Sequence, residues 1–176
     1  MRARGVGMRG LIVAALALVA GPLAAQDAPD TVHDNLPPEE LYNDNYDEPL
    51  IQPTRVLSPE DLVRIAAAKG ITLQWIDWNT RGEIRTLVDG DGVWRMIGSQ
   101  AGPANAYVGV DGIITEVGEN YFILNGTVTI ENAPDAGRMC KATADWRFEI
   151  TQNRKYYRLR QFEWCDYLTD YIDIYF

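Results

Sequence analysis

From residue 71 to the C-terminus, apolar and polar positions alternate in short runs rich in Val, Ile, Tyr, Trp and Thr. That period-two pattern predicts half-buried β-strands. The runs fall at 71–76, 83–88, 93–98, 106–110, 113–117, 121–131, 142–150, 155–164 and 171–176. Between them stand Asp89-Gly90-Asp91-Gly92, Asp111-Gly112 and Gly118-Glu119-Asn120, residues that tolerate the positive φ of tight turns. Asn125-Gly126 lies inside a longer run and reads as a further turn or as a bulge. One segment has the helical period instead. Ser58 is a candidate N-cap, Pro59 fits the first helical position, and Glu60 and Asp61 suit the positive helix end. Leu62, Ile65 and Ala66 recur at helical spacing before Lys69-Gly70 stops the helix. The pattern predicts a mainly β domain: an antiparallel meander of eight to nine short strands with one N-terminal α-helix across one end of the sheet. Barrel and sandwich both protect the edges of such a meander, and both stay open.

Two cysteines sharpen the last part of the pattern. A two-residue loop at Gln152-Asn153 would join runs 142–150 and 155–164 as a hairpin and set Cys140 directly opposite Cys165. They are expected to form a disulfide. In that register Trp146 faces Leu159 on the core side and Arg147 faces Arg158 outside. The cysteines fall in a non-hydrogen-bonded pair, where Cα atoms approach to about 4.5 Å.

The first 50 residues carry no strand or helix pattern of this kind. Arg2, Arg4 and Arg9 precede an apolar run of about ten residues, which is too short to span a membrane. Pro22-Leu23-Ala24-Ala25 follows with small residues suited to signal peptidase. Residues 1–25 are therefore read as a signal peptide cleaved after Ala25, and the protein as secreted or periplasmic. Residues 26–54 form an acidic, proline-rich tail without Lys or Arg before residue 55, and residues 55–176 the folded domain. The formal charge of the whole chain is −9, and losing three leader arginines and no acid takes it to −12. A chain so acidic lacks the basic footprint that nucleic acid requires. No stable membrane insertion is expected after leader removal.

Candidate chemistry is sparse. The expected hairpin gathers Arg147, Arg154, Arg158, Arg160 and Lys141 on its outer face, a candidate anion-binding surface. Asp145 and Glu149 could instead neutralise it, or the acidic tail could dock there. Trp75, Trp94 and Trp146 are candidate ligand-lining aromatics if the interior is hollow, and core residues if it is filled. Asp89 and Asp91 resemble a calcium-loop fragment, without the rest of the loop and its closing glutamate. Asp166, Tyr167, Asp170, Tyr171 and Asp173 make an acid- and phenol-rich stretch that an exposed loop also explains. Asn125-Gly126-Thr127 matches a glycosylation acceptor that only a eukaryotic secretory pathway would use.

The absences carry more weight. His33 is the single histidine and lies in the tail, which disfavours Ser-His or Cys-His catalysis and His-ligated zinc in the domain. No phosphate-binding or dinucleotide loop is present. No cofactor or metal is expected, and no catalytic residue is assigned. The sequence thus reads as an extracytoplasmic, non-enzymatic β domain that binds a small ligand or a protein partner. The alternative is a carboxylate-based hydrolase acting on an envelope or extracellular polysaccharide. A third reading, an outer-membrane barrel, is opposed by the charged hairpin faces and by runs mostly shorter than a spanning strand.

Overall fold

A computed structural model describes residues 51–176. The expected leader, His33 and most of the acidic tail lie outside the described residues. Thr54, assigned to the tail, is buried within the fold: its N–H donates to Gly92 O, and its hydroxyl bridges Trp94 N–H and Ile114 O.

The described residues form nine strands and one α-helix: β1 (Arg55–Val56), α1 (Pro59–Ala66), β2 (Gly70–Leu73), β3 (Glu83–Val88), β4 (Trp94–Ala101), β5 (Tyr107–Gly118), β6 (Tyr121–Glu131), β7 (Met139–Glu149), β8 (Tyr156–Leu159) and β9 (Ile172–Tyr175). Spatial order is β2-β9-β8-β7-β6-β5-β4-β3, all antiparallel, with β1 added parallel to the far end of β5. One bridge joins the two ends: Gly82 N–H donates to Ile71 O (2.8 Å), and Ile71 N–H returns to Gly82 O (3.3 Å). The architecture is a nearly closed barrel.

The helix begins as the sequence dictates. Ser58 Oγ accepts the Asp61 N–H, and Pro59 opens the first turn. It stops at Ala66, earlier than expected, because Gly70 is needed to start β2. Ile65 and Asp61 turn inward at the barrel end, where Asp61 accepts a hydrogen bond from the buried Tyr157 hydroxyl (2.6 Å). The interior is packed with side chains. Met96, Val108, Ile114, Leu124, Ile130, Leu159 and Ile172 are fully buried, and Phe122 stacks on Phe148 with centroids 5.0 Å apart.

Two expected elements differ. Runs 106–110 and 113–117 are one 12-residue strand, β5, and Asp111-Gly112 is not a turn. Asn125-Gly126 is neither turn nor bulge, since Gly112 and Gly126 face each other in register. A Cβ on Gly126 would lie 2.2 Å from Asp111 O, so glycine serves close backbone approach here. The bulge in this pair lies between Ile114 and Glu116. β6 matches its expected run at 11 residues, and β7, also 11 residues, begins three residues before its expected run.

The hairpin register also differs. The turn is where it was expected: Arg154 N–H donates to Thr151 O, and Gln152 and Asn153 both take positive φ. Two extra residues then slip the pairing, so Leu159 faces Phe148 and Arg158 faces Glu149. The expected pairs Trp146–Leu159 and Arg147–Arg158 do not form. Electrostatics explains the slip: like charges facing across strands are replaced by Arg158 beside Glu149 on one side and Asp173 on the other. An even slip keeps every side chain on its expected face. β8 ends at Leu159, and residues 160–171 form a loop. The Cys140–Cys165 disulfide is present with Cα atoms 6.0 Å apart, but it ties β7 to that loop instead of spanning a strand pair.

Candidate functional site

The expected anion face does not assemble as one surface. Arg158 is buried against Asp173 through two parallel 2.7 Å bonds, the geometry of an ionised bidentate pair. Burial pushes the Asp173 carboxyl up, and the bonds from Arg158 pull part of the way back. The Tyr171 ring lies 4.1 Å from the Arg158 guanidinium. Arg147 pairs with Glu149 and stacks 3.7 Å from the Tyr121 ring. Arg154 donates to Thr151 Oγ1 and Gln152 Oε1. Arg160 is exposed beside Phe162. Lys141 is six residues along β7 from Arg147, roughly 20 Å away at strand rise.

The three candidate tryptophans are also apart. Trp146 is buried, donates to Gly126 O, and meets Trp164 edge to face. Trp94 packs half-buried against the core. Trp75 is partly exposed and donates to Asp170 Oδ1 (3.1 Å). That bond belongs to a network in the acid-rich stretch. Arg138 donates at 2.8–2.9 Å to both carboxylate oxygens of Asp166 and both of Asp170. Those bonds hold Asp166 below the usual carboxylate range. These acids therefore pin the 160–171 loop beside the disulfide. The Asp89 carboxylate serves its own turn, accepting the Asp91 and Val93 N–H groups.

An open groove of about 620 Å³ runs over the outer faces of β3 to β7. Strand pairing builds it. Arg85, Ile97, Asp111, Thr127 and Thr143 form one row across the sheet, and Glu83, Ser99, Gly109, Thr129 and Lys141 the next. Leu87 and Ile97 give it an exposed apolar strip, 59% and 48% accessible. Charges of both signs flank the strip: Glu83 lies near Arg85, and Asp111 near Arg95. Tyr107 closes one end over the bare backbone of Gly109. Of the candidate site residues named from the sequence, Lys141 alone lines the groove. Apolar residues at the outward positions of β3 and β4 were the available signal, but they converge only once five strands are in register.

The disulfide is compatible with an extracytoplasmic location, and among the described residues no helix is long and apolar enough to cross a membrane. No solved structure matches the chain. A protein of Pasteurella multocida (strain Pm70), named uncharacterized protein PM1083, is 32% identical over 129 residues, 70% of this chain and 83% of the relative. The PM1083 family model matches residues 53–176, from the bridging Thr54 region through the last strand. The chain belongs to the PM1083 family.

Proposed function

We propose that the protein acts outside the cytoplasm as a non-enzymatic binding domain whose outer groove takes a small ligand or a segment of a protein partner. The observation that carries this reading is the contrast between a filled barrel interior and an open groove within the usual 300–1,000 Å³ of ligand sites. The lining suits a ligand with an apolar body and charges of both signs, such as a short peptide. The leader sequence and the disulfide support the compartment. Outward Asp111, Lys141 and Asp145 weigh against a lipid-facing band on the long strands. The hydrolase alternative has two acids in the groove, Glu83 and Asp111. Strand spacing sets their Cα atoms roughly 12 Å apart, and each has an arginine 3.8 Å away.

The test is amide chemical-shift mapping of the mature protein against a panel of dipeptides, tripeptides and short oligosaccharides. Shifts clustered at Ser99, Gly109, Thr127 and Thr129, lost in Ile97→Asp, are expected for at least one peptide. Shifts elsewhere, or none across the panel, defeat the reading. N-terminal sequencing of the exported chain should begin at Gln26; a full-length chain retained in the cytoplasm would overturn the compartment.

A further inference from the structure

Of the four charged residues that line the groove, three are matched within the fold. Glu83 and Arg85 lie 3.8 Å apart, and Asp111 lies 3.8 Å from Arg95. Lys141 is the fourth, and it has no ion-pair partner among the described residues. It sits opposite Thr129, which in turn sits opposite Gly109. Two strand spacings, roughly 10 Å, separate the Cα atoms of Lys141 and Gly109. The flexible four-carbon lysine stem carries the ammonium into that gap. A hydroxyl meets it there. The Tyr107 ring lies along its own strand over Gly109, where an added Cβ would come 2.5 Å from Tyr107 Oη and 2.8 Å from its Cε1. Glycine inside a strand marks such close approach, and here it lays a phenol hydroxyl on the groove floor. Ser99 and Thr129 flank Gly109 in the same row. Among the described residues, the hydroxyls of Tyr107, Ser99 and Thr129 have no hydrogen-bond partner. An acceptor seated over Gly109 would therefore be bound by groups with no protein bond to give up.

We infer that this end of the groove binds a carboxylate, which accepts hydrogen bonds from the Lys141 ammonium and the Tyr107 hydroxyl while an apolar body runs toward Ile97. The inference rests on the groove being a binding site and names the chemistry of its ligand. Charge fixes the class. One unmatched ammonium suits one negative charge. Asp111 and Glu131 border the same spot on the same face, Glu131 directly opposite Tyr107. A phosphate, with nearly two negative charges near pH 7, would be repelled by them. Register fixes the body. Ile97 is the diagonal neighbour of Gly109 across the β4–β5 pair, about 7–8 Å away. It is exposed, and Leu87 on β3 extends the apolar strip beyond it. A branched aliphatic group a few bonds from the carboxylate spans that distance. A peptide ending in leucine and a short branched alkanoate both present it.

Amide-shift titrations of the mature protein with four probes test this: dileucine, its C-terminal amide, isocaproate and inorganic phosphate. Dileucine should move the Gly109 and Thr129 amides and bind about tenfold or more tighter than its amide, the worth of a hydrogen bond to a charged group. Lys141 is exposed, so Lys141→Gln keeps the fold, and it should erase the preference for acid over amide. Tyr107→Phe should weaken dileucine about tenfold and leave the affinity of the amide unchanged. Isocaproate as tight as dileucine makes the branched acid sufficient, and weaker isocaproate identifies the peptide as the source; the carboxylate stands in both cases. Acid and amide binding alike in the groove, phosphate binding more tightly than both acids, or a preference that survives Lys141→Gln overturns the carboxylate and leaves the groove reading standing. No shift in the groove from any probe overturns both.

Discussion

Asp61 receives donors from three parts of the fold: Ser58 and Arg64 on the helix, the Asn120 N–H in the β5–β6 turn, and the Tyr157 hydroxyl of β8. Burial pushes its carboxyl up, but these hydrogen bonds outweigh burial and hold it below the usual value. Its folded pKa is thus lower than the unfolded one, about 3.9. The stabilisation is full above that pH and is lost as pH falls through the folded-state value. Asp61→Asn should cost about 2–3 kcal/mol near pH 7, and urea titrations should show the difference shrinking below pH 4. A difference that stays constant to pH 2.5 would refute this account. Arg158 and Asp173 show the other side of buried charge. Asp173→Asn leaves a buried guanidinium without its counter-charge and should cost about 3–5 kcal/mol. Arg158→Leu combined with Asp173→Leu should cost less than the single change. A double variant worse than the single would mean that the pair itself supplies net stability.

Among the elements, the β7–β8 hairpin shows most clearly how far local pattern reaches. Its turn residues, its two faces and its cystine were legible, because turn chemistry and side-chain alternation are local properties. Its register was not, because a partner strand outside the hairpin decides it: Arg158 moves to where β9 brings Asp173. The glycines of β5 and β6 misled for a related reason. A glycine required by a tight turn and one required by close backbone approach look alike until Gly112 and Gly126 are set face to face. Because the disulfide holds the 160–171 loop and not a strand pair, its loss should loosen that loop first. Replacing both cysteines by serine across the 25-residue separation should cost about 3.5 kcal/mol by chain entropy. Amide exchange should rise first at residues 160–171; exchange rising first in β6 would contradict the assignment.

At the scale of the whole molecule, closure depends on few contacts at the β2–β3 seam. Gln100, fully buried on β4, stitches it from within. Its Oε1 accepts the Leu73 N–H at 2.7 Å, and its Nε2 donates to Asp77 O and Thr80 O. Gln100→Leu would orphan those three backbone groups, for a loss of about 2–4 kcal/mol in a denaturant titration. A loss below 1 kcal/mol would show that the connection from β2 to β3 holds itself. The seam also explains why the groove, the best candidate site, was illegible in the sequence. Its fourteen lining residues come from five strands, and no local signal marks which outward positions will meet.

The sequence by itself determined what depends on neighbouring residues. It specified a β domain with one capped helix, the positions of the β3–β4, β5–β6 and β7–β8 turns, the faces of the last hairpin and the pairing of its cysteines. Propensity, alternation and turn chemistry act over a few residues, so a linear reading captures them. Tertiary structure decided what depends on distant partners: barrel closure, the even slip of β8, the burial of Arg158 against Asp173, the packed interior, and the groove over β3 to β7. Each follows from contacts between strands far apart in the chain, whose relative register is a property of the closed sheet.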